Sequence, residues 1–256
     1  MRHFVSISYD GTAYSGWQRQ PNATTVQAVI EDKLSLLTGY PTDITGCGRT
    51  DAGVHSQGYV FHVDLCSGQF PLDTLRYKLD QMLPNSISVS AIRPVRHDAH
   101  ARFDALSRSY VYHIHTKKDP FKGSYSSFLP LAKHADEDLL HQVGRLILRT
   151  TDFATFCKTK TDVKTTKCDV TESRWEIHDN QLSYYITANR FLRGMVRLIV
   201  GTSLQVALNK LSLADLERAV SIGEKPKHIL SAPPNGLVLY KITYPDELYA
   251  TDSSSS

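Results

Sequence analysis

The sequence predicts an α+β protein made of two α+β lobes that share a mostly antiparallel sheet. Short runs of alternating apolar residues read as strands, and stretches with apolar residues at helical spacing lie between them. The order strand, helix, strands, helix, strand then occurs twice along the 256 residues. No internal sequence repeat accompanies this, so the kinship of the halves is one of pattern. No linker separates them, and the region around Arg93–Asp104 is the best boundary. The expected division is a lobe over 1–100, a second over 101–248, and a flexible tail over 249–256.

Each element follows from local chemistry. Val5, Ile7 and Tyr9 alternate as a half-buried strand that ends at Asp10-Gly11. Thr24-x-x-Gln27 reads as a capping box opening a helix through Val26, Val29, Ile30, Leu34 and Leu37, and Gly39 closes it. A short strand leads into a glycine-rich loop, and Tyr59, Phe61 and Val63 alternate beyond it. Leu72, Leu75, Leu79 and Met82 mark a second helix, and Ile87, Val89 and Ala91 another strand. In the second half Tyr110, Tyr112 and Ile114 alternate, while Leu139, Leu140, Val143, Leu146 and Ile147 keep helical spacing. Strands near Val170–Ile177 and Leu182–Thr187 flank the turn at Asp179-Asn180. A long helix is expected from about Phe191 to Leu208, then a short one opened by Ser212-x-x-Asp215, then a last strand near Leu237–Tyr244.

Composition sets limits. Apolar residues make up 41% and charged residues 21%, which excludes a disordered or fibrous chain. With 29 Lys+Arg against 26 Asp+Glu the net charge is only +3, too little to establish a nucleic-acid partner alone. Cys47, Cys66, Cys157 and Cys168 form no C-x-x-C pair, so they read as free thiols in a reducing compartment, without a metal site. No apolar run approaches the ~20 residues of a membrane helix, and Met1–Ser6 lacks a secretory apolar region. A cytoplasmic protein without membrane association is expected.

Three features could carry chemistry. Gly46-Cys47-Gly48-Arg49-Thr50-Asp51-Ala52-Gly53-Val54-His55 has three glycines in its first eight residues and matches neither a P-loop nor a dinucleotide fingerprint. It reads either as a tight turn whose Asp51 caps a backbone amide, or as a carboxylate nucleophile on a substrate-shaped loop. On a helix through Phe191–Gly201, Arg190, Arg193 and Arg197 would share one stripe, either a solvated face or an oxyanion-binding one. Tyr110 and Tyr112 share a strand face after Arg102 and Arg108, as a core pair or as a platform for stacking bases. Looser basic clusters are Arg93, Arg96, Arg102 and Arg108, and Lys158, Lys160, Lys164 and Lys167. The mixed loop Tyr9–Gln20, with Arg19, suits polar ligand contact.

Five segments in order resemble the tRNA pseudouridine synthase A family: Tyr9-Asp10-Gly11-Thr12-x-Tyr14-x-Gly16-Trp17-Gln18-Arg19-Gln20, Gly48–His55, Ser107–Tyr112, Phe191–Gly201 and Ala232–Leu239. They span residues 9 to 239. The resemblance implies the pseudouridine synthase fold, with a central cleft, and isomerisation of uridine in the tRNA anticodon stem-loop at positions 38, 39 and 40. It implies Asp51 as the nucleophile, Tyr110 as the ring that stacks on the flipped base, and Arg197 as the partner that holds Asp51 ionised. Arg49 would help displace the base, Leu237 would wall the pocket, and Arg19, Arg108 and Arg193 would contact RNA. No cofactor or metal is implied, and the partners are tRNA and a second copy in a homodimer. Two departures stand out, Arg193-Gly194 before Met195 in the late helix, where many relatives have bulkier polar residues, and Cys157-Lys158 after Phe156, where some carry an arginine.

Overall fold

The computed structural model describes residues 1–66, 71–158, 164–226 and 229–249. Lys160 and the expected tail from residue 250 onward lie outside them. The chain packs as two compact units, one of residues 1–106 together with the chain from Leu239, the other Ser107–Val238. The last strand thus returns to the first unit, which a linear division at residue 100 does not capture.

The first unit holds β1 (Arg2–Tyr9), α1 (Val26–Thr38), β2 (Thr45–Gly46), β3 (His55–Asp64), α2 (Leu72–Met82) and β4 (Ile87–Pro94). β1 pairs antiparallel with β3, Val5 opposite Phe61, and with β4, Val5 opposite Ile92. β2 pairs with β3, setting Gly46 opposite Phe61. The expected half-buried β1 is buried on both faces between His3 and Val5. Its second face is covered because Phe4 and Val60 pack with Val95, Ala99, Ala101, Tyr244 and Leu248. Tyr249, placed in the flexible tail by sequence, instead bridges to Val95 and meets the ring of Phe4 edge-on at 6.3 Å.

α1 starts one residue later than the capping box requires. Its N-cap is Thr25, whose hydroxyl accepts from the Ala28 amide, while the Gln27 amide donates instead to Glu31 and to the Ile44 carbonyl. Gly39 closes it at φ 82°, as expected from a left-handed C-terminal glycine.

The second unit contains β5 (Ser107–His115), β6 (Ser127–Phe128), α3 (Glu137–Arg149), β7 (Val170–His178), β8 (Gln181–Ala188), α4 (Met195–Ala207) and α5 (Leu213–Ile222). Strands β5, β8 and β7 lie side by side and antiparallel, with Tyr112 opposite Tyr184 and Tyr184 opposite Trp175. The short β6 runs parallel to β5. The last strand, β9 (Leu237–Thr243), starts in this unit and crosses into the first. Each unit is therefore mixed α and β, with mostly antiparallel pairing. No helix among the described residues is long and apolar enough to cross a membrane.

The long helix is shorter than its periodicity predicts. Gly194 sits at φ 72°, a left-handed position that cannot continue a right-handed helix, so α4 begins at Met195. Arg190 and Arg193 consequently precede the helix, and the expected three-arginine stripe does not form. Only Arg197 lies on α4.

Candidate active site

The glycine-rich loop is held by an aromatic block beneath it. Tyr9, Trp17, Tyr59 and Phe61 are all buried, with Trp17 stacked on Tyr59 at 3.9 Å between ring centroids. Two hydroxyls reach from this block to the loop. Tyr59 donates to the Gly48 carbonyl at 2.5 Å, and Tyr9 shares a 2.9 Å hydrogen bond with Thr50 Oγ1. The Trp17 amide donates to the Thr50 carbonyl at 3.2 Å, and the Val54 amide to that of Asp51 at 3.2 Å. Three of the four residues from Gly48 to Asp51 thus have a fixed carbonyl or side chain.

Two of the loop's glycines serve different purposes. Gly53 adopts φ 75°, which favours glycine. Gly46 provides clearance, since a Cβ there would lie 2.1 Å from the Tyr59 hydroxyl and 2.6 Å from Trp17 Nε1. The result exposes Arg49, leaves Asp51 half-buried and buries Thr50 between them. His55, at the base of the loop, accepts from the Gly11 amide at 3.0 Å and lies 3.1 Å from Asp10. These contacts tie the Tyr9–Trp17 segment to the loop. The sequence marked both segments, but it did not mark Tyr59 or Thr50 as their link, because hydrogen bonds across 11 and 41 residues leave no periodic trace.

Arg19 is placed differently from a free RNA contact. Its guanidinium pairs with Glu31 at 2.6 Å and Asp32 at 2.8 Å on α1. These two hydrogen bonds hold its pKa above the usual arginine value.

In the second unit Tyr110 is half-buried on β5, its ring edge-on to Phe191 at 5.0 Å. Arg108, two residues earlier, donates to the Asn189 carbonyl at 2.8 Å. The loop before α4 therefore lies against the strand that carries Tyr110. Tyr112, weighed with Tyr110 as a stacking platform, is a core residue with 0% exposure. Its hydroxyl bonds to Ser127 and to the Pro233 carbonyl, and burial pushes its pKa up to about 12.

Arg197 stands in the first turn of α4, where Nε donates to the Ala232 carbonyl at 2.7 Å and its own carbonyl accepts from the Ala232 amide at 2.9 Å. This double link ties α4 to the segment leading into Leu237, which is buried at the start of β9. Arg193 is exposed, and its carbonyl accepts from Lys158, whose side chain lies over Gly194. The two departures noted in the sequence are thus neighbours. Among the described residues, no group of three or more His, Cys, Asp or Glu side chains could hold a metal ion.

Chemically, the first unit presents a carboxylate and an exposed guanidinium on a loop with a fixed backbone. The second presents a tyrosine ring and a guanidinium on regular elements. A family model described as tRNA pseudouridine synthase matches residues 5–104 and 149–245. A protein of Porphyromonas gingivalis named tRNA pseudouridine synthase A is 41% identical over 251 residues, covering 97% of this chain and 99% of the relative. Proteins of the same name from Parabacteroides distasonis, 39% identical over 98% of this chain and 99% of the relative, and from Chlorobaculum tepidum, 36% identical over 94% and 96%, are also similar. The match is long and covers nearly the whole of both chains, so this chain belongs to the tRNA pseudouridine synthase family.

Proposed function

We propose that this protein isomerises uridine to pseudouridine in the anticodon stem-loop of tRNA, at positions 38, 39 and 40, with Asp51 as nucleophile. The observation that carries the role of Asp51 is its half-buried position on a loop whose backbone is fixed on both sides, next to the exposed Arg49. A fixed, partly desolvated carboxylate suits covalent catalysis. The reaction breaks the ribose bond to N1 of the base, turns the base and joins ribose to C5. A proton leaves C5 and N1 gains one, so the change is redox-neutral.

Tyr110 is the proposed stacking ring for the flipped base, and Arg197 the cationic member of the catalytic set. Arg49 assists extrusion, whose cost of a few kcal/mol stacking and a positioned guanidinium can offset. Leu237 forms apolar wall, and Arg108 and Arg193 contribute RNA contacts; Arg19 joins them only by giving up its pairs with Glu31 and Asp32. The enzyme acts in the cytoplasm as a homodimer, and several targets for one pocket imply recognition by shape and backbone.

The test is pseudouridine mapping in tRNA incubated with wild type and Asp51→Asn. Wild type should convert uridines of the anticodon stem-loop, whereas the variant should convert none while binding tRNA with nearly unchanged affinity. Equal uridine content after both incubations, with both proteins bound to tRNA, would identify a tRNA-binding protein without turnover.

A further inference from the structure

The aromatic block under the glycine-rich loop has more polar contact with it than packing alone requires. Two of its four rings carry hydroxyls, and both hydroxyls touch the loop, one on each side of Arg49. We propose that Tyr59 and Tyr9 are positioning residues that set the geometry of Arg49 and Asp51 for base extrusion and attack; this rests on the function proposed above.

Tyr59 reaches the Gly48 carbonyl by passing Gly46, where any side chain would collide with its hydroxyl and with Trp17. The ring has no freedom to withdraw, because Tyr59 is 0% exposed, stacked on Trp17 and 5.6 Å from the Tyr9 ring centroid. On the other side, Tyr9 holds Thr50 by its side chain while the Trp17 amide holds the same residue by its carbonyl. Thr50 is therefore gripped at two atoms, which fixes the backbone between Arg49 and Asp51. Gly16, at φ 92°, allows this approach, since a Cβ there would lie 2.6 Å from the Thr50 carbonyl oxygen. Asp51 follows Thr50 directly, so rotation of the Thr50 peptide would carry the carboxylate with it. Misplacement by about 1 Å can cost on the order of 100-fold in rate without contact to the reacting atoms.

The experiment compares Tyr59→Phe, Tyr9→Phe, Thr50→Val and Thr50→Ser in steady-state turnover of tRNA, with tRNA affinity and thermal melting measured alongside. The Phe variants keep the ring packing and remove only hydroxyl oxygens. Tyr59→Phe should lower kcat about tenfold or more, with KM for tRNA within about twofold of wild type. Tyr9→Phe and Thr50→Val should each lower kcat, and the double variant should be no slower than the slower single one, because both remove one hydrogen bond. Thr50→Ser keeps the hydroxyl and should retain most of kcat. Lower melting temperature with unchanged kcat would reduce these tyrosines to structural residues and overturn the inference. So would a raised KM at unchanged kcat, or a Thr50→Ser variant as slow as Thr50→Val. If wild type forms no pseudouridine in tRNA, the proposed function itself falls and this inference with it. If wild type is active and the Phe variants match it, the inference alone falls.

Discussion

His62 lies on β3 with 8% exposure, and its Nδ1 accepts from the Ala101 amide at 3.0 Å. Burial lowers its pKa to about 4, with the nearby positive charge of Arg2 and then of His100 acting in the same direction. The neutral ring is therefore favoured by folding, while the unfolded chain binds a proton near the ordinary histidine value of about 6.5. Between those two values the unfolded state holds more protons, so the stability His62 contributes is complete above pH ~6.5 and is lost as pH falls towards 4. His3, His100 and His113 are shifted the same way, each first by burial. Melting temperature should accordingly fall as pH drops from 7 to 4.5. His62→Asn keeps an acceptor for the Ala101 amide but cannot titrate, so its melting temperature should fall less steeply, although not stay flat. Equal slopes for the two proteins would assign the acid sensitivity to other groups.

At the scale of elements, α4 shows where contact overrides propensity. Gly201 lies inside this helix, where alanine is ordinarily better by about 1 kcal/mol. A Cβ at Gly201 would lie 2.1 Å from the Leu230 carbonyl oxygen and 3.2 Å from the Ala232 amide nitrogen, both backbone atoms that cannot turn aside. Overpacking of this kind costs about 1–3 kcal/mol, so Gly201→Ala should destabilise the protein on balance, as read by urea unfolding. It should also displace the Ala232 carbonyl that accepts the hydrogen bond from Arg197 Nε. Gly194→Ala meets only the flexible Lys158 side chain, so its cost is the left-handed φ, about 1–2 kcal/mol. A more stable Gly201→Ala would mean that the 230–232 segment yields easily. The same helix marks the limit of what was legible in the sequence. Strands β1, β3, β5, β7 and β8 and helices α1, α3 and α5 follow from periodicity and caps, although β1 and β3 are also buried on their second faces over part of their length. The start of α4 does not, since Phe191 and Leu192 extend the apolar pattern past a glycine whose φ no pattern encodes. Of the candidate site, Asp51 and Arg49 were legible from glycine density and motif, whereas Tyr59, Thr50 and the Ala232 link depend on contacts distant in sequence.

For the whole molecule, a net charge of +3 limits how tRNA can be held, and the ion pairs narrow the choice further. Arg2 pairs with Asp64 at 2.8 Å, Arg218 with Asp215 at 2.7 Å, and Arg174 with Glu172 at 2.8 Å and also with Glu176. Exposed pairs of this kind add little stability, about 0–1 kcal/mol each, but they already satisfy the cations they contain. Phosphate contact should therefore fall to cations placed elsewhere, among them Arg49 and Arg193, both exposed beside the proposed catalytic residues. With about four phosphates neutralised, tRNA affinity should drop roughly 100-fold between 50 and 200 mM salt. Arg193→Gln should reduce the slope of log affinity against log salt by about one. Arg174→Gln removes the same formal charge from a residue already flanked by two carboxylates, so it should leave the slope nearly unchanged. Equal loss of slope in both variants would show that tRNA responds to overall charge, and the assignment of phosphate contact to Arg193 would fail.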